Sequence, residues 1–287
     1  MTPSRWSDLE RPPLNATALR RAVVTPDALW TALDVVDSTG STNSDLAARA
    51  EGGAAEGAVL IAEEQTAGRG RLDRRWTAPA RSGLFFSVLL RPGAATADGR
   101  GPVPAHRWGW LPLLAGVATA TALSRTAGVD TALKWPNDLL VTVDGEERKT
   151  GGILAERAGD DGVVIGIGLN VSLREDELPV PAAGSLALAG AKGTDRDPLL
   201  RAVLRSLADW YGEWRTAGGD PDASRLRPVY AAGCVTLGRA VRAELPGGDA
   251  VTGTAVTVDD DGRLVISSGG AERAVGAGDV VHLRNDV

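Results

Sequence analysis

Three runs, residues 58–63 (AVLIAE), 84–90 (LFFSVLL) and 163–169 (VVIGIGL), are apolar at almost every position. Neighbouring residues of a strand point to opposite faces, so a run without polar alternation needs cover on both sides. These stretches predict buried strands, and a chain that contains them must wrap layers of structure around a sheet. Residues 139–143 and 148–156 flank Asp144-Gly145 and predict a hairpin. Val35-Val36 predicts a further short strand, and Leu133-Lys134-Trp135 begins one that meets the turn signal Pro136-Asn137-Asp138.

Helical signals lie between these strands. Residues 111–127 are apolar nearly all round and rich in Ala, which predicts a buried helix. Leu199, Leu200, Val203, Leu207, Trp210 and Trp214 recur at helical spacing within 198–215. Short helices are expected within 14–33, with Asp27 near a helix start, and over 43–50, where Ser41 or Thr42 supplies the cap. Hairpins mixed with helices, without regular βαβ units, predict an α+β fold with a mixed or antiparallel sheet. From residue 233, short runs of Val, Leu and Ala are broken by Gly247-Gly248, Asp260-Asp261-Gly262 and Gly269-Gly270. That texture predicts a small, separate antiparallel barrel. The expected division is an arm with short helices over 1–33, a main unit over 34–230, with 221–228 leading onward, and the barrel over 233–287.

At 287 residues the chain has room for about two domains. A net charge of −6 argues against a general nucleic-acid binder, so any cationic site must be local. The single cysteine, Cys234, fits a reducing compartment. The first residues carry no signal-peptide-like run, and the apolar stretch 108–123 is interrupted by Gly109, Pro112 and Gly116. A cytoplasmic protein without membrane attachment is expected. With only His106 and His282, a zinc site is not expected, whereas Mg²⁺ on carboxylates and phosphates stays open.

The local cationic site is residues 64–76, EQTAGRGRLDRRW. Glycine lets a backbone N–H approach a ligand closely, and arginine adds a permanent charge on a planar fork. Interleaved, they predict a mobile loop that wraps an anion, and it lacks the GxxxxGK[ST] of a Walker phosphate loop. All basic residues except Lys134, Lys149 and Lys192 are arginines. A lysine in this chain is therefore more informative than usual, which raises the interest of Lys134.

STN at 41–43, QTAGRGRLDRRW at 65–76, KWPND at 134–138, GGILAE at 151–156 and GIGLNV at 166–171 together resemble biotin protein ligase, the family that attaches biotin to a carrier domain. The resemblance runs from about Asp34 to Arg284. It implies a catalytic domain like that of class II aminoacyl-tRNA synthetases and a C-terminal SH3-like barrel. About 33 residues precede the pattern, too few for a winged helix-turn-helix, so no operator binding is expected.

The implied chemistry joins biotin's carboxylate to the α-phosphorus of ATP, releases pyrophosphate, and passes the acyl group to a lysine of the biotin carboxyl carrier domain of an acyl-CoA carboxylase. By the resemblance, Ser41, Thr42, Asn43 and Gln65 hold biotin's ureido head, and Gly152 and Leu154 wall its pocket. Lys134, Arg69 and Arg71 are the catalytic cations, the two arginines on a glycine-hinged loop, and these three with Gly68 and Gly70 also bind biotin. Arg74, Trp76, Asn137 and Asn170 join them on the ATP side. Trp76 reads equally as a core tryptophan and Asn170 as a strand-end cap. Asp138 reads as an orienting group for Lys134, as a Mg²⁺ ligand, or as a plain turn residue. Asp73 stands where the family often has glycine, and a carboxylate there would pair with Arg71 or Arg74. Rival readings are a lipoate-type ligase, a biotin-sensing DNA-binding regulator and an RNA binder using the Arg/Gly loop.

Overall fold

The computed structural model describes residues 10–72, 74–96, 99–245, 249–276 and 279–283. Residues 1–9 of the expected arm, Asp73, the Gly247-Gly248 turn and Arg284 lie outside them.

The main sheet has seven strands: β1 (Ala32–Val36), β2 (Ala58–Ala62), β5 (Gly83–Leu90), β6 (Ala132–Lys134), β7 (Asp138–Val143), β8 (Glu146–Ala158) and β9 (Gly162–Asn170). Two short strands, β3 (Gly68–Arg69) and β4 (Arg75–Trp76), form a separate ribbon. The sheet order is β1-β2-β5-β9-β8-β7-β6, and only β1 and β2 run parallel, so the sheet is mixed. Asp144 and Gly145 both take positive φ in the β7–β8 turn, the conformation that a two-residue hairpin demands.

The helices are α1 (Ala16–Val23), α2 (Thr42–Glu51), α3 (Trp110–Ala127), α4 (Arg196–Thr216) and α5 (Leu226–Gly233). No helix starts at Asp27, where the chain only turns. α5 occupies part of the stretch expected as a link, and it buries Leu226 and Tyr230. One face of the sheet, including Leu84, Phe86, Val88, Ile165 and Ile167, joins α1, α3 and α4 in the large core. The opposite face packs Leu60, Leu89 and Val164 under Leu46 and Ala50 of α2. Beyond α2 that second face gives out into glycine, at Gly166 and Gly168 of β9 and Gly152 of β8. The missing side chains leave a hollow on the sheet.

A buried ion pair ties the N-terminal segment to this layer. Arg196 meets Glu63 at 2.6 Å with both side chains 5% exposed. The Leu14 amide donates to Glu63, and Arg196 donates to the Pro12 and Gly83 carbonyls, so both charges are hydrogen-bonded.

The C-terminal module is a five-stranded antiparallel sheet of β10 (Ala240–Glu244), β11 (Ala250–Val258), β12 (Leu264–Ser268), β13 (Ala271–Val275) and β14 (Asp279–His282). Its order is β13-β12-β11-β10-β14, and among the described residues β13 and β14 do not pair to close a barrel. It docks on the main unit at the lysine strand. The Val235 amide donates to Leu133 O at 2.9 Å, the Trp135 amide to Thr236 Oγ1 at 3.0 Å and the Trp135 indole to Gly262 O at 3.1 Å.

Candidate active site

The hollow beyond α2 becomes a cleft of about 150 Å³. Its floor follows from strand register. Lys134 pairs with Asp138, Asp138 with Gly152, and Gly152 with Gly168, so one cross-strand row lies on one face. Trp76 lies on the bare part of that row. A Cβ at Gly168 would come within 2.7 Å of the indole, and one at Gly152 within 3.2 Å. Among the described residues the Trp76 Nε1–H has no acceptor although it is buried.

The neutral end of the cleft is built on the start of α2. Ser41 caps the helix, and its side chain accepts from the Ser44 amide. Gln65 Oε1 accepts from the Thr42 amide at 2.8 Å and lies 3.1 Å from the Thr42 hydroxyl. Asn43 is sunk into the sheet. It accepts from Ser87 Oγ at 2.6 Å and donates to Leu154 O and to Glu156 Oε2 at 2.9 Å. Gly166 makes room for it, because a Cβ there would sit 2.1 Å from Asn43 Oδ1.

The rim is the Gly/Arg loop. The Gly70 amide donates to Arg74 O at 2.7 Å, which closes the β3–β4 ribbon. The Thr66 and Ala67 amides donate to the Thr39 and Gly40 carbonyls and pin the loop's entrance to the turn before α2. Arg69 pairs with Glu156 at 3.0 Å, and Arg71 donates to Asn137 Oδ1 at 3.4 Å. Gly68 does not line the cleft. It serves the ribbon, since a Cβ there would lie 2.5 Å from Trp76 O.

The sequence reading missed Lys149. Simple alternation puts it on the core face with Gly151 and Ile153. A bulge intervenes: Gly151 pairs with Leu139 and Lys149 with Leu140, leaving Thr150 as an extra residue. That extra residue turns Lys149 back to the cleft face. Its Nζ meets Asp138 Oδ1 at 2.6 Å and lies 5.8 Å from the Trp76 ring centroid. The scarcity of lysine was the signal that could have found it.

Ser41, Thr42, Asn43, Gln65, Arg69, Gly70 and Arg71 all line the cleft. So do Arg74, Trp76, Lys134, Asn137, Asp138, Gly152 and Leu154. Asn170 does not. Its amide donates to Gly184 O at 3.0 Å and its carbonyl accepts from the Leu186 amide, so it ties the end of β9 to the following loop. Asp138 is neutralised by Lys149, and among the described residues no three His, Cys, Asp or Glu converge as a metal site. The cleft therefore does not fit a protein-built magnesium cage.

An uncharged pocket beside a concentration of cations defines a site for a molecule with a neutral body and an anionic head. Comparison with known proteins agrees. Residues 35–170 match the biotin/lipoate A/B protein ligase family, and residues 236–283 match the biotin protein ligase C terminal domain. A biotin--[acetyl-CoA-carboxylase] ligase of Mycobacterium tuberculosis is 44% identical over 96% of this chain and 98% of its own. A bifunctional ligase/repressor BirA of Bacillus spizizenii is 34% identical over 82% of this chain and 68% of its own. The structure of biotin protein ligase from Aquifex aeolicus in complex with biotin and ATP superposes with a TM-score of 0.69 at 26% identity, covering 89% of this chain and all of that one. The chain belongs to the biotin/lipoate A/B protein ligase family.

Proposed function

We propose that this protein is a biotin protein ligase. It joins the biotin carboxylate to the α-phosphate of ATP, releasing pyrophosphate, and transfers the biotinyl group from AMP to a lysine amine on the carrier domain of a carboxylase. The observation that carries this reading is the cleft itself, where Lys134, Lys149, Arg69 and Arg71 meet beside the neutral Thr42–Gln65 pocket.

Two anions must approach each other in the first step, so charge neutralisation and positioning dominate the catalysis. Lys134 and Lys149 stand on the rigid sheet and supply point charges where carboxylate and phosphate meet. Arg69 and Arg71 stand on the loop and close over the same atoms, which keeps water from the mixed anhydride. Thr42 and Gln65 present short neutral donors and acceptors suited to a urea. Asn43 acts behind them, since its amide is already bonded to Leu154, Glu156 and Ser87. Trp76 covers the floor with its free indole N–H turned to the ligand. Mg²⁺ would enter with ATP, held chiefly by phosphate oxygens and water, and would help neutralise the phosphates.

The five-stranded module is read as an SH3-like domain in which, among the described residues, β13 and β14 do not pair. The catalytic unit is assigned to 34–230 and this module to 233–287. Among the described residues no helix is long and apolar enough to cross a membrane, and the reducing setting expected from Cys234 supports a cytoplasmic home.

The test is the mass of an apo carrier domain incubated with the protein, ATP, Mg²⁺ and either biotin or lipoate. Addition of biotin alone is expected. Addition of lipoate alone would assign the protein to the other branch of its family.

A further inference from the structure

Ser87 is the one polar side chain in the run 84–90, and it is fully buried. On β5 it stands opposite Gly166, the residue that makes room for Asn43. Its Oγ lies 2.6 Å from Asn43 Oδ1 and 2.7 Å from Thr42 Oγ1. A hydroxyl carries one hydrogen, so Ser87 donates in only one of these contacts.

The direction is set from the far end. Asn43 Nδ2 faces two acceptors, Leu154 O at 3.2 Å and Glu156 Oε2 at 2.9 Å. The opposite amide orientation would bring an oxygen against both, so Oδ1 must face Ser87. An amide oxygen only accepts, and Ser87 therefore donates to it. The 2.7 Å contact is left for Thr42 to donate. Gln65 Oε1, 3.1 Å from the Thr42 hydroxyl, competes for that hydrogen, but it already accepts from the Thr42 amide at 2.8 Å. If Gln65 took the hydrogen, two oxygens with none between them would meet across the shorter gap, where repulsion is larger. The relay thus runs from Thr42 to Ser87 to Asn43 to Glu156, each group donating to the next, and such a line of bonds reinforces itself. Its result appears in the cleft, which Thr42 and Gln65 both line. Thr42 Oγ1 offers the ligand lone pairs only. Gln65 has spent its oxygen on the Thr42 amide and offers the hydrogens of Nε2.

We propose that Ser87 is a positioning residue for biotin selection: it fixes Thr42 as an acceptor beside the Gln65 donor, so that the pocket takes a ring carrying N–H next to C=O. The proposal rests on the ligase reading above. The edge of a cyclic urea satisfies both groups. A ring atom with lone pairs in place of the N–H would face the Thr42 oxygen with no hydrogen between them.

The test is calorimetric binding of biotin and of its two cyclic carbamate analogues, each with one ring N–H replaced by oxygen. Wild type is expected to bind at least one analogue about tenfold or more weaker than biotin, the cost of an unpaired polar contact. In Ser87→Ala the Thr42 hydrogen is released to turn towards the ligand, and that ratio should fall to within about threefold. Ser87→Cys, a weak donor and weak acceptor, should lie between. A merely structural role for Ser87 would weaken all three ligands alike and leave the ratio unchanged. A second readout needs neither ligand nor variant: neutron diffraction of the deuterated wild-type protein should place the Thr42 deuteron on the line to Ser87 Oγ. An unchanged ratio in Ser87→Ala, no discrimination by wild type, or a Thr42 deuteron directed at Gln65 or into the cleft would overturn the proposal. A wild-type protein that binds no biotin would sink the ligase reading, and the deuteron would still judge the relay.

Discussion

Gly152, Gly166 and Gly168 make the floor of the cleft by leaving side chains out, whereas Arg69, Arg71 and Arg74 make its rim by adding charge. The floor lies on a sheet whose other face is locked into the core, so its geometry is fixed before any ligand arrives. The rim hangs on a two-residue ribbon and on partners that a ligand can replace, Glu156 for Arg69 and Asn137 for Arg71. A preformed floor gives orientation at little cost on binding, and a movable rim gives enclosure. Lys134 and Lys149 belong to the floor, and that is why they are assigned the positioned charges.

This contrast orders the effects of substitution. The largest falls on the floor's cations. Lys134→Ala and Lys149→Ala should each cut biotin-dependent ATP–pyrophosphate exchange by about 10²–10³, the cost of losing a preorganised charge. Initial-rate kinetics check this, and near-normal exchange in either variant would remove that lysine from the chemistry.

Next come the floor's glycines. Gly166→Ala places a methyl 2.1 Å from Asn43 Oδ1. Overpacking at such a site costs about 1–3 kcal/mol and should displace Asn43 and the end of α2 with it. Calorimetry should show weakened biotin binding and a lowered melting temperature together. Gly152→Ala meets the edge of Trp76 at 3.2 Å and the end of the flexible Lys149 side chain at 3.5 Å, and should be milder. Equal effects at the two positions would contradict the floor described here.

The rim comes third. Arg71→Gly should leave biotin binding within a few-fold of wild type but shorten the retention of biotinyl-AMP, as expected of a group that acts by enclosure. Rapid gel filtration of the enzyme-bound intermediate reads this, and unchanged retention would take Arg71 out of the lid. The smallest effect is one of pH on stability. Burial first, then Lys134 and Arg239, push His282 down from 6.5 to about 4. Between those values the unfolded chain binds more protons than the folded one, so stability rises with pH. This contribution is complete above pH 6.5 and is lost as pH falls towards 4. Thermal melts across that window should be steeper for wild type than for His282→Gln.

The floor and the rim were legible in the sequence for different reasons. The runs at 58–63, 84–90 and 163–169 could only be buried strands, and β2, β5 and β9 lie on them. Within VVIGIGL the alternation of Val164, Gly166 and Gly168 against Ile165 and Ile167 already holds both faces of the sheet. The rim showed itself as a cluster of Gly and Arg. Lys149 was hidden because a β-bulge breaks the period of two on which strand reading depends. Asn170 looked like a site residue because its neighbours form a motif, yet its amide is spent on Gly184. The helix at 226–233 was hidden behind two prolines, of which Pro228 sits in its first turn, where no backbone donor is needed.

The claim beneath this reading is that Lys134 and Lys149 meet the arginines of the loop around one anionic centre. A crystal structure with a non-hydrolysable biotinyl-adenylate analogue tests it most directly. The account predicts both lysine Nζ atoms within about 3 Å of the analogue's carboxyl or phosphoryl oxygens, with Arg69 released from Glu156 and turned inward. An analogue seated away from the Gly152–Gly168 floor, or Lys134 pointing into solvent beside it, would contradict the account.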